Sequence, residues 1–232
     1  MEPDFDPQTH RYTMPSGRPL GRSVSSVVNR HWPAFDGPRI ARQCGPAARE
    51  KWTGDPCGTD AQVLEAWAKN SKEAAAAGTA MHERIELFFR GSASHRLDDP
   101  TRVWLENRFG QDWVFEPEKR ICGPVVPGGR IIPGTVDLLA TDPNGDHWLF
   151  DWKRGSIDDD NGEVDPVSGL KGTKFVKYSL QLAFYAAILD ANYGISVPVH
   201  RRRLVQVRED IEPLEVHVKD VDALVAVVSS LE

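Results

Sequence analysis

Three side chains stand out by type and spacing: Asp137, Asp151 and Lys153. They belong to the segment VDLLATDPNGDHWLFDWK, two β-rich runs around Asp142-Pro143-Asn144-Gly145-Asp146. Loop length decides whether they meet. A two-residue Asn-Gly loop sets Asp137 opposite Trp152 and turns it away from Asp151 and Lys153, because strand side chains alternate. A three-residue loop, Pro143-Asn144-Gly145, places proline first in a type I turn and Gly145 at the left-handed position that closes it. Asp142 then faces Asp146, Asp137 faces Asp151, and both acids share a face with Lys153. We expect this odd-length loop.

Two facing carboxylates repel unless one is protonated or a cation lies between them. Leu138, Leu139, Trp148, Leu149 and Phe150 surround them, so the hairpin is expected to be buried. Two readings follow. One is a salt bridge of Lys153 with one aspartate. The other is a Mg²⁺ or Mn²⁺ site, with hard oxygen ligands and open water positions. Such an ion lowers the pKa of water and neutralises phosphate oxygens, which is what phosphodiester hydrolysis requires. Lys153 would then either take a proton from water or remain charged and act electrostatically.

Other pairs recur at helical spacing. His82 and Glu86 are four apart in TAMHERIELFF and share a face, beside the apolar stripe of Met81, Ile85 and Phe88 or Phe89. Gln181 and Tyr185 are four apart in KFVKYSLQLAFYAAILDANYG, with Tyr178 about one turn earlier. Each pair reads equally as ordinary surface polarity or core packing.

The elements that must carry these groups fall in order. Ser23 or Ser25 caps a short helix ending before Pro33, and a second runs from about Pro38 to Cys44. Thr59 and Gln62 form a capping box for a long helix, which Gly78 is expected to interrupt before a fresh segment to Gly91. Pro100 opens another helix, through about Phe109. Strands follow at Trp113–Cys122, Ile131–Thr141 and His147–Lys153. After a polar loop from Ser156 to Thr173 comes a helix stopped by Gly194, then strands at Val197–Val207 and Leu214–Val218 and a closing helix from Val221 to Leu231. The order implies an α/β or α+β core with an N-terminal helical elaboration. We expect an extension over residues 1–58 packed on a core over 59–232.

The ordered set GTAMHERIE, PGTVDLL, FDWKRG and YSLQLAFYA resembles the PD-(D/E)XK nuclease superfamily, in its RecB-like exonuclease branch. The resemblance covers about residues 60–195. It implies a restriction-endonuclease-like core, a mixed β-sheet flanked by helices. It implies Asp137, Asp151 and the Trp152 backbone carbonyl as metal ligands, with Lys153 orienting or activating water. It implies His82 as a further ligand and Glu86 as a supporting or second-metal acid. Gln181, Tyr185 and Tyr178 would position DNA. The activity implied is a Mg²⁺- or Mn²⁺-dependent deoxyribonuclease, an exonuclease of DNA repair, recombination or replication acting on single-stranded or double-stranded ends. The alternatives are an inactive nucleic-acid-binding module of the same fold, an endonuclease or an RNase. Relatives with an iron–sulfur cluster use four cysteines, and this chain has three, Cys44, Cys57 and Cys122, so no cluster is expected.

Composition bounds the rest. The 232 residues are 40% hydrophobic and 27% charged, an ordinary globular balance, with a formal charge of −6. That charge does not itself point to nucleic acid, so basic groups would have to line one groove. The string His200–Arg208, HRRRLVQVR, is either such a stripe or a solvated edge strand. Lys171, Lys174 and Lys177, at the end of the loop after Lys153, are candidates for touching a nucleic-acid backbone. No run reaches the roughly 20 apolar residues of a membrane helix, and the polar N-terminus lacks a signal-peptide layout. The expectation is a soluble, cytoplasmic protein.

Overall fold

A computed structural model gives the fold and describes residues 2–9, 11–92, 99–157, 164, 169–209 and 211–230. In chain order the elements are β1 (Asp4–Asp6), β2 (Arg11–Thr13), α1 (Val24–His31), α2 (Gly37–Gln43), α3 (Pro46–Thr53), α4 (Asp60–Phe89), α5 (Asp99–Arg108), β3 (Val114–Gly123), β4 (Ile132–Thr141), β5 (His147–Lys153), α6 (Lys174–Tyr193), β6 (Arg202–Arg208), β7 (Ile211–His217) and α7 (Asp222–Ser230). A 3₁₀ turn, Val199–Arg201, leads into β6. The architecture is α+β, consistent with a restriction-endonuclease-like fold. The chain divides into two compact units: Met1–Trp32 with Arg84–Glu232, and Pro33–Glu83.

The larger unit is built on a five-stranded sheet in the order β3-β4-β5-β6-β7. The first three strands form an antiparallel meander, β6 is parallel to β5, and β7 is antiparallel to β6. Parallel neighbours need a crossover, and α6 supplies it. Thr173 caps α6 by accepting from the Val176 amide at 3.2 Å, and Gly194 ends it in the left-handed conformation, as the sequence indicates. Leu139, Leu149 and Leu204 share one core with Leu180, Phe184 and Ile188 of α6, the valines of α1, and Val225 and Val228 of α7. On the alternate positions Phe150 and Trp152 stack on one another, Trp152 stacks on Phe89, and Phe109, just past α5, meets Phe150 edgewise. The sheet is therefore covered on both faces, which confines polar chemistry to places where the layers part.

The smaller unit is tied by Arg49 on α3, a helix the sequence reading does not anticipate. Its guanidinium donates to the carbonyls of Cys44 at 2.9 Å and Gly58 at 2.6 Å and to the Asp60 carboxylate at 2.7 Å. Phe35 and Trp52 both pack edgewise on Trp67. Thr59 and Gln62 form the expected capping box: the Thr59 amide donates to the Gln62 side chain at 2.8 Å, and the Gln62 amide donates to the Thr59 hydroxyl at 3.3 Å.

Two expectations are corrected. Gly78 does not interrupt α4, which is continuous from Asp60 to Phe89. A helical glycine costs only about 1 kcal/mol relative to alanine, and the alanines at 74–77 offset it. The His200–Arg208 string is neither an edge strand nor a groove stripe. His200 and Arg201 lie in the 3₁₀ turn, and Arg202–Arg208 form the interior strand β6, with Arg202 and Arg203 each 6% exposed. Arg202 donates to Asp222 at 3.0 Å, and Arg203 and Arg108 both donate to Glu215 at 2.7 Å. Burial holds the Arg203 guanidinium below its ordinary value, against the opposing pull of Glu215.

Removing the shared acid strands a buried cation. Glu215→Ala is expected to destabilise the protein toward the lower end of the ~3–5 kcal/mol seen when one partner of a buried pair is lost. Urea unfolding of both proteins checks this, and a midpoint shift equivalent to under ~0.5 kcal/mol contradicts it.

Candidate active site

The β4–β5 turn has the odd-length form. The Asp142 amide donates to the Asp146 carbonyl at 2.9 Å, the Gly145 amide donates to the Asp142 carbonyl at 2.9 Å, and Gly145 has φ +83°. The Asp142 carboxylate accepts from the amides of Asn144 and Asp146 and from the Trp148 indole at 2.9, 3.0 and 3.1 Å. The ladder pairs Thr141 with His147 and Leu138 with Phe150. Carried one pair further, that register sets Asp137 opposite Asp151.

The two aspartates have different partners. Asp151 is 1% exposed, and its Oδ2 lies 2.6 Å from the Lys153 Nζ. Gln181 Nε2 donates to Asp151 Oδ1 at 3.4 Å and to the Tyr185 hydroxyl at 2.9 Å. Asp137 is half-buried and accepts the Trp152 amide on Oδ2 at 2.8 Å. Of the two readings of the acid pair, the salt bridge of Lys153 with one aspartate is thus present, on Asp151.

Burial pulls the Lys153 ammonium down, but Asp151 and then Asp137 outweigh it and hold the group above its ordinary value. The amine is a cation, and it lies 4.7 Å from the centroid of the Tyr178 ring. Burial pushes the Tyr185 hydroxyl well up, and both aspartates add to that. It remains a neutral partner for Gln181. Tyr185 is only 3% exposed, and its hydroxyl is held by the Gln181 amide.

Sequence reasoning missed Glu118. The β3–β4 ladder pairs Pro117 with Leu138 and Lys119 with Val136, which leaves Glu118 across from Asp137. A carboxylate oxygen of Glu118 and one of Asp137 lie within 4.8 Å of one another. Glu118 has φ 50°, the sole positive φ at a non-glycine among the described residues. Such strain costs on the order of 1–3 kcal/mol and gathers at functional sites. The available signal was Pro117, since proline inside a strand marks an irregular ladder. Two acids at this spacing, next to a third acid paired with a lysine, form a hard oxygen donor set that fits a divalent cation.

The remaining candidates are carried by other elements. Glu86 accepts from Arg90 at 2.8 Å. His82 is half-buried on α4, one turn before Glu86. Lys174 and Lys177 line a cavity of about 220 Å³ together with Tyr178, Gln181 and α1 residues, and Lys177 Nζ lies 5.6 Å from the centroid of a Trp32 ring. Lys171 pairs with Val164 in an isolated bridge, while residues 158–163 and 165–168 of that loop lie outside the described residues. No helix among the described residues is long and apolar enough to cross a membrane.

Comparison with known families finds a match to the one described as the PD-(D/E)XK nuclease superfamily, over residues 47–228. No curated protein matches the chain. Among solved structures, a candidate exonuclease from Eubacterium rectale is similar at 16% identity and a TM-score of 0.41, over 66% of this chain and 64% of that one, so this chain spans less than two thirds of its length. The protein SSO0001 is similar at 13% identity and a TM-score of 0.37, over 89% of this chain and 81% of that one.

The lysine's state depends on its acid partner. In Asp151→Asn the burial remains and the nearest carboxylate charge is gone, so the Lys153 pKa should fall from above the ordinary value toward or below it. A ¹³Cε titration reads the change; an unmoved Lys153 resonance would mean that Asp151 does not sustain the cation.

Proposed function

Because this chain belongs to the PD-(D/E)XK nuclease superfamily, we propose that it is a Mg²⁺- or Mn²⁺-dependent deoxyribonuclease, acting as an exonuclease on DNA ends. The observation that carries the reading is the convergence of Glu118 and Asp137 beside the buried Asp151–Lys153 pair.

Asp137, Asp151 and Glu118 would hold the cation through oxygen. The Trp152 carbonyl and His82 are the further ligands this reading assigns, with Glu86 in support. A divalent ion supplies water of lowered pKa and neutralises charge on the scissile phosphate. The chain's own groups do the rest. Lys153, held as a cation by Asp151 and Asp137, would stabilise negative charge developing on phosphate oxygens. Gln181, anchored by the neutral Tyr185 hydroxyl, holds the Asp151 carboxylate in orientation. Tyr178 shields the lysine from water with its ring face. Lys174 and Lys177, at the mouth beside Tyr178, would meet the backbone of the strand.

End-labelled single- and double-stranded DNA incubated with Mg²⁺, Mn²⁺ or EDTA tests this. Cleavage is expected with either metal, absent in EDTA, and progressive from an end. Lys153→Ala should lower kcat by about 10²-fold or more, the scale of losing one preorganised charge-stabilising group, while DNA affinity changes little. Metal-independent cutting, or a Lys153→Ala protein as fast as the original, overturns the mechanism. Internal fragments appearing first would replace exonuclease with endonuclease. Binding without any turnover would favour a non-catalytic nucleic-acid module.

A further inference from the structure

A groove of about 570 Å³ lies away from the acidic cluster, at the start of β4, and three arginines line it: Arg18, Arg22 and Arg130. Its floor is aliphatic, with Leu20, Ile131 and Ile132 among the residues. No carboxylate is part of the lining, although the chain as a whole carries a charge of −6. Arg18 and Arg130 are exposed and have no carboxylate partner among the described residues.

The wall of the groove is built, not draped. After β2 the chain turns back on itself: the Met14 amide donates to the Arg18 carbonyl at 2.8 Å, and the Leu20 amide donates to the Tyr12 carbonyl at 2.9 Å. Thr13 and Pro19 form a bridge. This arm is pinned to the sheet by Tyr12, whose hydroxyl shares a 2.8 Å hydrogen bond with that of Thr135, two residues before Asp137. Ile132 and Asp137 are both on β4, five residues apart, or about 17 Å at the ~3.3 Å rise of a strand. That span matches about five nucleotides at the B-form rise of ~3.4 Å and fewer in an extended strand.

We propose that this groove holds a single-stranded segment of the same DNA molecule whose end occupies the acidic site, with phosphates on Arg18, Arg22 and Arg130 and base faces on the aliphatic floor. The inference rests on the nuclease reading. Arginine forks match phosphate oxygens, and an apolar floor accepts the face of any base, so binding is sequence-tolerant. The volume is that of a small-ligand pocket. An unpaired nucleotide can sink into it, whereas a stacked and paired base cannot present its face.

Fluorescence anisotropy with labelled oligothymidylate in Ca²⁺, at several salt concentrations, compares the native chain with the Arg18→Ala/Arg130→Ala variant. Losing two phosphate contacts should weaken binding about 10-fold at low salt. It should also flatten the log–log salt dependence by about 1.4, at ~0.7 per phosphate for a single strand. Fully duplex DNA should lose far less, and dinucleotides too short to reach the groove should be cleaved equally by both proteins. Unchanged melting of the variant establishes that it is folded. If the native chain binds the oligomer and the variant matches it in affinity and slope, the groove assignment fails while the nuclease reading stands. Equal losses on duplex overturn the single-strand assignment. If the native chain neither binds nor cuts DNA, both fall together.

Discussion

Like charges brought to one point in a protein of low dielectric repel strongly, and the chemistry of this molecule depends on how the fold enforces such a meeting. Glu118 and Asp137 come from different strands, and neither has any local reason to approach the other. The β3–β4 register sets them opposite, and the strained Glu118 backbone, at φ 50°, is part of how that strand delivers its carboxylate. Asp137 is held from the other side by the Trp152 amide. The sheet's hydrophobic layers resist relaxation, because Leu138, Leu139, Leu149 and Phe150 are each at most 1% exposed and adjoin the acids in sequence. Repulsion that an open surface would relieve by side-chain rotation is here retained.

The Asp151–Lys153 pair answers a related problem by a different route. A carboxylate at 1% exposure would be protonated or would destabilise the fold without a counter-charge, and the lysine two residues on supplies it. Two-residue spacing on a strand is what brings both side chains to one face. Helix α6 completes the arrangement from above with Gln181 and Tyr185. That helix has two duties that cannot be separated. Leu180, Phe184 and Ile188 fasten the crossover between β5 and β6, and the same turns carry the polar groups that meet Asp151. Packing of the core therefore sets the position of the site to within a side-chain rotamer.

Local grammar made much of this legible in the sequence, and non-local pairing made the rest opaque. The three-residue turn follows from Pro143 and Gly145 alone, and through it the relation of Asp137 to Asp151 and Lys153. The Thr59–Gln62 cap, the Ser23 cap and the Gly194 stop are equally local. Glu118 is different. Its role depends on pairing with a strand almost twenty residues on, and no periodicity within β3 announces it. Arg202 and Arg203 misled for a similar reason. A run of arginines suggests solvent until Glu215 and Asp222, distant in sequence, are seen to neutralise it. Gly78 misled in the opposite direction, because a modest propensity penalty was read as a break in a helix whose neighbours easily sustain it.

Charge balance links these parts. In the proposed site Glu118, Asp137 and Asp151 would bring three carboxylates, and Lys153, paired with Asp151, one ammonium. The four groups together leave two negative charges, the charge that one hard divalent ion neutralises. Without Lys153 the deficit would be three, and a single ion would leave the phosphate of a nucleic acid facing residual negative charge. With two lysines the acids would be largely satisfied internally and would have little affinity for a metal. On the proposed reading, one lysine would leave an acidic cluster that attracts a dication and is neutral once it holds one, so that an anionic strand could approach. The arginine-lined groove at the start of β4 has the complementary sign. On the proposed reading, negative charge placed for the ion and positive charge placed for phosphates would let a chain of net charge −6 address a polyanion without a globally basic surface.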